Sequence, residues 1–440
     1  MTWWLMLSGI VVLLLFLLFL GFPIFVAFLL LNVVSVAVLI GHSGFGMFAN
    51  SIYTTATIGE LAAVPLFILM GELLFRSGAM EVVLNSLDRL VGNIRGRQYV
   101  LCIVLSAILG ALSGAAMAVA GLLGRSLFPT MRKRGYDLHM SAGTLLGGAS
   151  LDPIIPPSVL AIIIATLAKV STGQMLIAGI LPGLLLTGMF LIYVFVRVHL
   201  NPSLAPDLSE DMRDPANRGS ALMALLRIVP VGIIFFLVVG LIMLGVATST
   251  EAAATGVVGA LGLAWYYGGL SRDMIWQGLR SAVLVTGLLL IVMSCAAMFS
   301  QLLTYTGAIR TLGEFIIKLQ LSSEMMVAVL LIVPFILFMF LDATSILMVL
   351  IPIYQPILSI YGYDPIWFWT LMLIVATLGA LSPPFGYTLF AFKSAAPEIP
   401  MRDIFKAAWP YVWIIVVGLI FMAIFPDIIT FLPRVMIESS

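Results

Sequence analysis

Ala149-Ser150-Leu151-Asp152-Pro153-Ile154-Ile155-Pro156-Pro157-Ser158 sits inside an otherwise apolar segment, and Leu378-Gly379-Ala380-Leu381-Ser382-Pro383-Pro384-Phe385-Gly386 sits inside a second one. Proline has no N–H to donate and its ring clashes with the turn before it, so Pro153, Pro156 and Pro157 unwind the helix around them. The carbonyls freed near 150 to 154 then need partners, because bare backbone in hydrocarbon is costly. Taken alone, either stretch reads as a proline kink packed on a neighbour, a common feature of membrane helices. Together they read differently. Pro156-Pro157 recurs as Pro383-Pro384, Gly135-Tyr136-Asp137 as Gly362-Tyr363-Asp364 and Pro129 as Pro356, all 227 positions apart. Ser77-Gly78-Ala79 recurs as Thr306-Gly307-Ala308, 229 apart. The chain is a duplication in which each half carries one broken helix.

Composition names the solvent. The 440 residues are 62% hydrophobic and 9% charged, with a mean hydropathy of +1.19, whereas about a quarter of a soluble chain is charged. Apolar runs of about 20 residues, the length that crosses a bilayer core, fall at 3–20, 23–40, 60–75, 139–170, 174–198, 228–246, 250–268, 281–304, 365–392 and 405–425. The fold class is therefore an all-α polytopic membrane protein with about ten transmembrane helices. Met1 to Leu20 has no basic n-region and no evident cleavage site, so it reads as a retained span. A net charge of +1 gives no reason to expect a nucleic-acid partner. Cys102 and Cys295 lie in apolar runs as small hydrophobes. His42, His139 and His199 share no metal-ligand spacing, and HExxH, P-loop and GxSxG patterns are absent, so neither catalytic residues nor an organic cofactor are expected.

Charge decides how residues 98–128 sit. Arg95 and Arg97 precede this run, Arg125, Arg132, Lys133 and Arg134 follow, and 99–124 are uncharged. One crossing would put basic clusters on opposite faces, against the positive-inside bias; a re-entrant hairpin returns both to the cytoplasm. Its counterpart, 325–358, is flanked by Arg310, Glu314, Lys318, Glu324 and Asp364 without positive excess, so it opens from the periplasmic side. Each half then makes five crossings, and an odd number inverts the second. The expected organisation is a first repeat at 1–200, a solvated cytoplasmic linker at 201–220 and an inverted second repeat at 221–440, with both termini periplasmic. The first repeat holds an arm helix at 78–97, the hairpin and a broken helix at 139–170. The second holds an arm helix at 309–321, its hairpin and a broken helix at 365–392. The arms are amphipathic and read as interfacial helices, an ordinary loop helix being the alternative. Inverted repeats with broken helices at the midplane are an architecture of secondary transporters.

Each broken helix follows a hairpin tip of small or hydroxyl residues, Ser113-Gly114-Ala115-Ala116 or Asp342-Ala343-Thr344-Ser345. A tip opposing a break makes a polar pocket, and unwound carbonyls suit a sodium ion. Asp152 and Asp342 are acids in apolar surroundings, functional by default. Asp342 lies at a tip; Asp152 reads equally as a helix cap or an ion contact. Glu60, Glu72 and Glu251, near span ends, read as structural, Glu251 as an acid at a helix start.

These residues resemble the large membrane subunit of the tripartite ATP-independent periplasmic (TRAP) transporters. The resemblance covers nearly the whole chain. It is carried by Val64-Pro65-Leu66-Phe67-Ile68-Leu69-Met70-Gly71-Glu72, Ser113-Gly114, Ile154-Ile155-Pro156-Pro157-Ser158, Ile180-Leu181-Pro182-Gly183, Thr250-Glu251-Ala252-Ala253-Ala254, Phe340-Leu341-Asp342 and Ser382-Pro383-Pro384-Phe385-Gly386. It implies an elevator-type, sodium-coupled uptake system in the bacterial inner membrane, working with a small four-helix membrane subunit and a periplasmic substrate-binding protein that delivers an organic anion. Carried over by resemblance, one sodium site uses oxygens at Ser113, Ala116, Asp152, Ile155 and Pro156, and the other Asp342, Gly379, Ser382 and Phe385. Substrate is then expected near Ser158, Thr344, Ser345 and Thr388.

The sequence departs from the family's pattern at three places. Ala115 and Ala116 stand where a further serine is usual, Asp152 where glycine is common, and Ser249 where proline precedes Thr-Glu. Backbone ligands survive the first two changes; a hydroxyl ligand at the first tip does not. Two other readings belong beside the resemblance: a stand-alone dicarboxylate or citrate carrier, and an intramembrane aspartyl protease using Asp152 and Asp342. The second lacks a Gly-x-Gly-Asp signature.

Overall fold

The computed structural model describes residues 9, 12–14, 16–90, 94–113, 116–206 and 221–439, and every regular element among them is helical. Gly114 and Ala115 of the first tip, most of the linker (207–220) and residues 91–93 of the expected first arm lie outside them, as does half of the run 3–20. The first half continues through α1 (Ile24–Leu39), α2 (Gly46–Ala56), α3 (Ala63–Arg76), α4 (Ala79–Leu90), α5 (Arg97–Ser113), α6 (Ala116–Lys133), α7 (Leu138–Ser150), α8 (Val159–Ala168), α9 (Thr172–Ala178) and α10 (Ile180–Leu200). The second half has α11 (Ala221–Met243), α12 (Ser249–Tyr266), α13 (Arg272–Tyr305), α14 (Ala308–Leu319), α15 (Ser323–Phe338), α16 (Ala343–Tyr361), α17 (Pro365–Leu381), α18 (Tyr387–Ala395), α19 (Met401–Ile424) and α20 (Asp427–Ser439).

Among the described residues five helices are long and apolar enough to cross a bilayer, or six if α2 and the bent segment after it form one span. Five further apolar helices run only 10–17 residues. Four of these are the first arms of the hairpins, α5 and α15, and two helices that flank the breaks, α8 and α17. These sit at or below the short end of the roughly 17–25 residues that cross the hydrocarbon core, so the shorter pieces rely on one another.

The repeated motifs have a common local cause. Gly135 and Gly362 are left-handed, at φ +82 and +65, and end α6 and α16. After each, the tyrosine N–H reaches back five residues, Tyr136 to Met131 O and Tyr363 to Leu358 O, both at 3.1 Å. This is the Schellman closure of a helix C-terminus. The aspartate that follows opens the next helix: Asp137 accepts from Met140 N at 2.8 Å and Asp364 from Trp367 N at 3.0 Å. Gly-Tyr-Asp is thus a stop and a start in three residues. Likewise the Ser77 and Thr306 hydroxyls donate to the carbonyls three residues earlier, and Gly78 and Gly307 are left-handed before the arms α4 and α14.

The first arm is shorter than the expected 78–97. Its described helix runs Ala79–Leu90, and left-handed Gly96 turns the chain before α5 starts at Arg97. The second arm runs Ala308–Leu319 and stops at Gln320, also left-handed.

The helices before the breaks form the centre. Met140–Ser150 of α7 and Ile366–Leu381 of α17 are buried throughout, as expected of helices apolar all round. Each hairpin lays its first arm on its own half's pre-break helix, α5 on α7 and α15 on α17. Each lays its second arm on the other half's post-break helix, α6 on α18 and α16 on α8. The hairpins therefore clasp the breaks crosswise. Around them α13 packs on α1, α2 and α3, and α12 on α3 and α11. Glu72 ties α3 to α13, accepting from Arg76 at 2.8 Å and from the Ser281 hydroxyl at 2.7 Å. Glu251 completes a capping box with Thr248 at the start of α12.

Candidate functional site

The crosswise clasp lines a cavity of about 470 Å³ that is open on one side. Ala116 and Met117 from the first tip, Asp152, Pro153 and Ser158 from the first break, and Asp342, Ala343 and Thr344 from the second tip line it. Tyr387, the first residue after the second break, joins them, and Val285, Leu288, Leu289 and Val292 of α13 close one side. Among the described residues that line it, the only charged side chains are the two carboxylates.

Both carboxylates cap the second arm of a hairpin. Asp342 is the N-cap of α16, where one oxygen accepts from Ser345 N at 3.1 Å and from the Ser345 hydroxyl at 3.2 Å. Asp152 does the same for α6 from another element: its Oδ2 accepts from Ala116 N, the first residue of that helix, at 3.0 Å. Asp152 is buried and its Oδ1 has no hydrogen-bond partner among the described residues. That oxygen faces Gly110 of α5, where a Cβ would stand 3.1 Å from the aspartate Cβ and 3.5 Å from Oδ1. Asp152 is therefore a cap of the hairpin helix α6 and not of the broken helix beyond it, which Ser158 caps, and it also lines the cavity.

The breaks are seated by glycines. A Cβ on Gly179 would come within 2.0 Å of the Ile154 carbonyl oxygen, and one on Gly183 within 2.6 Å of the Ile155 side chain. A Cβ on Gly379 would strike Phe338 at 2.3 Å, and one on Gly386 the Ala380 carbonyl oxygen at 2.5 Å. Hydroxyls satisfy several of the carbonyls that the breaks release. Ser158 donates to Pro153 O at 2.7 Å and caps α8, Ser382 donates to Leu378 O at 2.7 Å, and Thr388 donates to Ala380 O at 2.6 Å.

Of the residues singled out from the sequence, Ala116, Asp152, Ser158, Asp342 and Thr344 line the cavity. Ile155, Pro156, Gly379, Ser382, Phe385, Ser345 and Thr388 do not. Ile155 packs on Gly183, and Pro156 faces Phe67, Leu176 and Val238. Phe385 is exposed against Phe340, Ser345 is buried on Asp342, and Thr388 is fully buried. Ser113 ends α5, with its side chain outside the described residues. Tyr387 was missed, and the reason is angular. A helix turns about 100° per residue, so the neighbouring Thr388 points back at the break while Tyr387 points into the cavity, within electrostatic reach of both carboxylates. The signal available was the first polar side chain after the break.

Residues 11–428 match the family described as "Tripartite ATP-independent periplasmic transporter, DctM component". The chain belongs to this family. Among curated relatives, the C4-dicarboxylate TRAP transporter large permease protein DctM of Pseudomonas aeruginosa is 30% identical over 88% of this chain and 89% of its own. The ectoine permease TeaC of Halomonas elongata is 26% identical over 94% and 96%, and the sialic acid permease SiaM of Vibrio cholerae 27% identical over 95% and 96%. These relatives are transporter permease subunits, not enzymes, so this TRAP large permease is a transport protein and the aspartyl protease reading is set aside. Two solved structures share the fold: the Alcanivorax borkumensis YdaH transporter (TM-score 0.56, 14% identity, 87% of this chain and 88% of that one) and Neisseria gonorrhoeae MtrF (TM-score 0.57, 13% identity, 86% and 82%).

Proposed function

We propose that this permease imports an organic acid together with sodium, by elevator movement of the hairpins and broken helices against the remaining helices. A periplasmic binding protein delivers the solute, and a small four-helix membrane subunit completes the complex in the bacterial inner membrane, with both termini of this chain periplasmic. The observation that carries the reading is the single cavity lined by both tips and the first break, with two carboxylates and no basic side chain among its lining residues. An organic anion entering such a cavity meets like charge unless cations enter first, and sodium at the carboxylates supplies that neutralisation. One ion belongs with Asp342, Gly379, Ser382 and Phe385, the other with Ser113, Ala116, Asp152, Ile155 and Pro156, and the solute with Ser158, Thr344, Ser345 and Thr388. C4-dicarboxylates are the first solutes to test, since the Pseudomonas relative is named for them.

The test is uptake into vesicles that contain this chain and its small subunit, with binding protein outside and a sodium gradient imposed or omitted. Uptake should rise with inward sodium. Equal uptake when potassium replaces sodium refutes the coupling, and full uptake without binding protein favours a stand-alone carrier.

A further inference from the structure

A second polar pocket, of about 290 Å³, lies at the foot of α7, away from the cavity described above. Three elements meet there: the start of α7, the last turn of α10 and the beginning of α19. Arg197 of α10 and Lys406 of α19 line it, both exposed. Among the described residues neither is paired with a carboxylate; Arg197 interacts with the Tyr193 hydroxyl. Asp137 and His139 line the pocket too, and both are engaged: Asp137 accepts from Met140 N as the cap of α7, and His139 pairs with Asp403, outside the pocket, at 3.2 Å.

Tyr411 also lines this pocket. It is 1% exposed, and its hydroxyl has no hydrogen-bond partner among the described residues. Its ring is fixed against α7, because a Cβ on Gly143 or Gly147 would fall within 2.7 or 2.3 Å of it, and Tyr193 lies edge-on at 5.4 Å. A buried phenol left unpartnered is rare, and an ordered water or a bound group is a usual partner for one. Guanidinium, ammonium and phenol are all donors, and two of the three are cations. The ligand they fit is an anion with several acceptor oxygens.

We propose that this pocket binds a small oxyanion, a carboxylate or phosphate group, that ties the foot of α7 to α10 and α19. The same α7 runs without interruption to the first break, so an anion held there restrains the helix that carries Asp152. The chemistry is common to a free anion and to a lipid headgroup.

Purified full-length protein in neutral detergent is titrated with potassium phosphate or potassium citrate against potassium chloride at matched ionic strength, following the melting temperature. A parallel series uses nanodiscs with and without phosphatidylglycerol. A saturable rise with phosphate or citrate supports a soluble ligand; a rise with phosphatidylglycerol alone supports a headgroup. In either case Arg197→Gln and Lys406→Gln weaken the apparent affinity at least about tenfold, the loss expected for one hydrogen bond to a charged group. Tyr411→Phe, which keeps the ring, weakens it as well. Arg402→Gln, an exposed cation on the same helix outside the pocket, leaves the response unchanged. No response to any of the three anions overturns the proposal, and so does a response that Arg402→Gln diminishes as much as Arg197→Gln.

Discussion

Gly179→Ala tests whether the first break is held by backbone contact. Gly179 joins α9 to α10 at φ −75, an ordinary helical angle, so alanine brings no torsional strain and by propensity alone favours the helix. Its Cβ, however, would stand 2.0 Å from the Ile154 carbonyl oxygen. A carbon and a carbonyl oxygen settle at about 3.3 Å, so the two must separate by roughly 1.3 Å. No rotamer change absorbs this, because the obstructing atom is the backbone of the break itself, two residues from Asp152. Overpacking of this kind costs about 1–3 kcal/mol. Two neighbours on α10 form a graded control. At Gly183 the added carbon meets the Ile155 side chain at 2.6 Å, and at Gly188 it meets nothing within 4 Å. The expected order of loss, in melting temperature and in solute uptake, is Gly179→Ala above Gly183→Ala above Gly188→Ala, the last being near neutral. Gly179→Ala protein that melts and transports like Gly188→Ala would refute the reasoning.

Asp342→Asn keeps an acceptor for Ser345 N but loses the charge, whereas Asp342→Ala loses both, costing about 0.5–2 kcal/mol for the missing cap; both should abolish sodium-stimulated uptake, and only the alanine variant should lower the melting temperature. Gly135→Ala and Gly362→Ala each force a Cβ into the left-handed region, at about 1–2 kcal/mol, with open space around both; similar melting losses are expected, and a large inequality would contradict a shared turn. Asp152→Ala leaves Ala116 N without its acceptor, about 1–3 kcal/mol for a buried donor. The loosened tip should then show faster maleimide labelling in a Met117→Cys background, where native Cys102 and Cys295 are buried, while Asp152→Asn labels at the parental rate.

Much of this architecture was legible because membrane burial writes itself in composition and because proline cannot be hidden in a helix. Pro156-Pro157 and Pro383-Pro384 marked both breaks, and Gly-Tyr-Asp marked both junctions between hairpin and broken helix, although its hydrogen bonds emerged only in three dimensions. The arms were legible as amphipathic segments, but the end of the first was not, since the left-handed turn at Gly96 is a backbone event. Within the site the two acids were found by their cost in apolar surroundings. Tyr387 was not, because a polar aromatic residue at a helix start is unremarkable until the direction of the helix is known. Gly179 and Gly110 escaped for a different reason: a glycine's function here is the space it leaves for another segment, and no sequence pattern names that segment.

The junctions and the caps followed different courses after duplication. Both Gly-Tyr-Asp turns make the same bonds, but the carboxylate that caps the second hairpin arm comes from the tip in one half and from the break in the other. Asp342 travels with the tip it caps, so moving that tip leaves the bond to Ser345 intact. Moving the first tip away from its break separates Ala116 N from Asp152, exposing a donor worth about 1–3 kcal/mol when unsatisfied. It also withdraws the helix N-terminus from a carboxylate it stabilises by about 0.3–1 kcal/mol or somewhat more when buried. Gly110 lets the aspartate sit this close to α5, and Gly179 holds the break from behind. The first tip is therefore latched to its break by a few kcal/mol in sum, while among the described residues no equivalent hydrogen bond holds the second. The second tip meets its break instead through the ring of Phe340 on Phe385, 5.3 Å between centroids, so the two contacts differ in kind: one is a charged hydrogen bond, the other apolar packing.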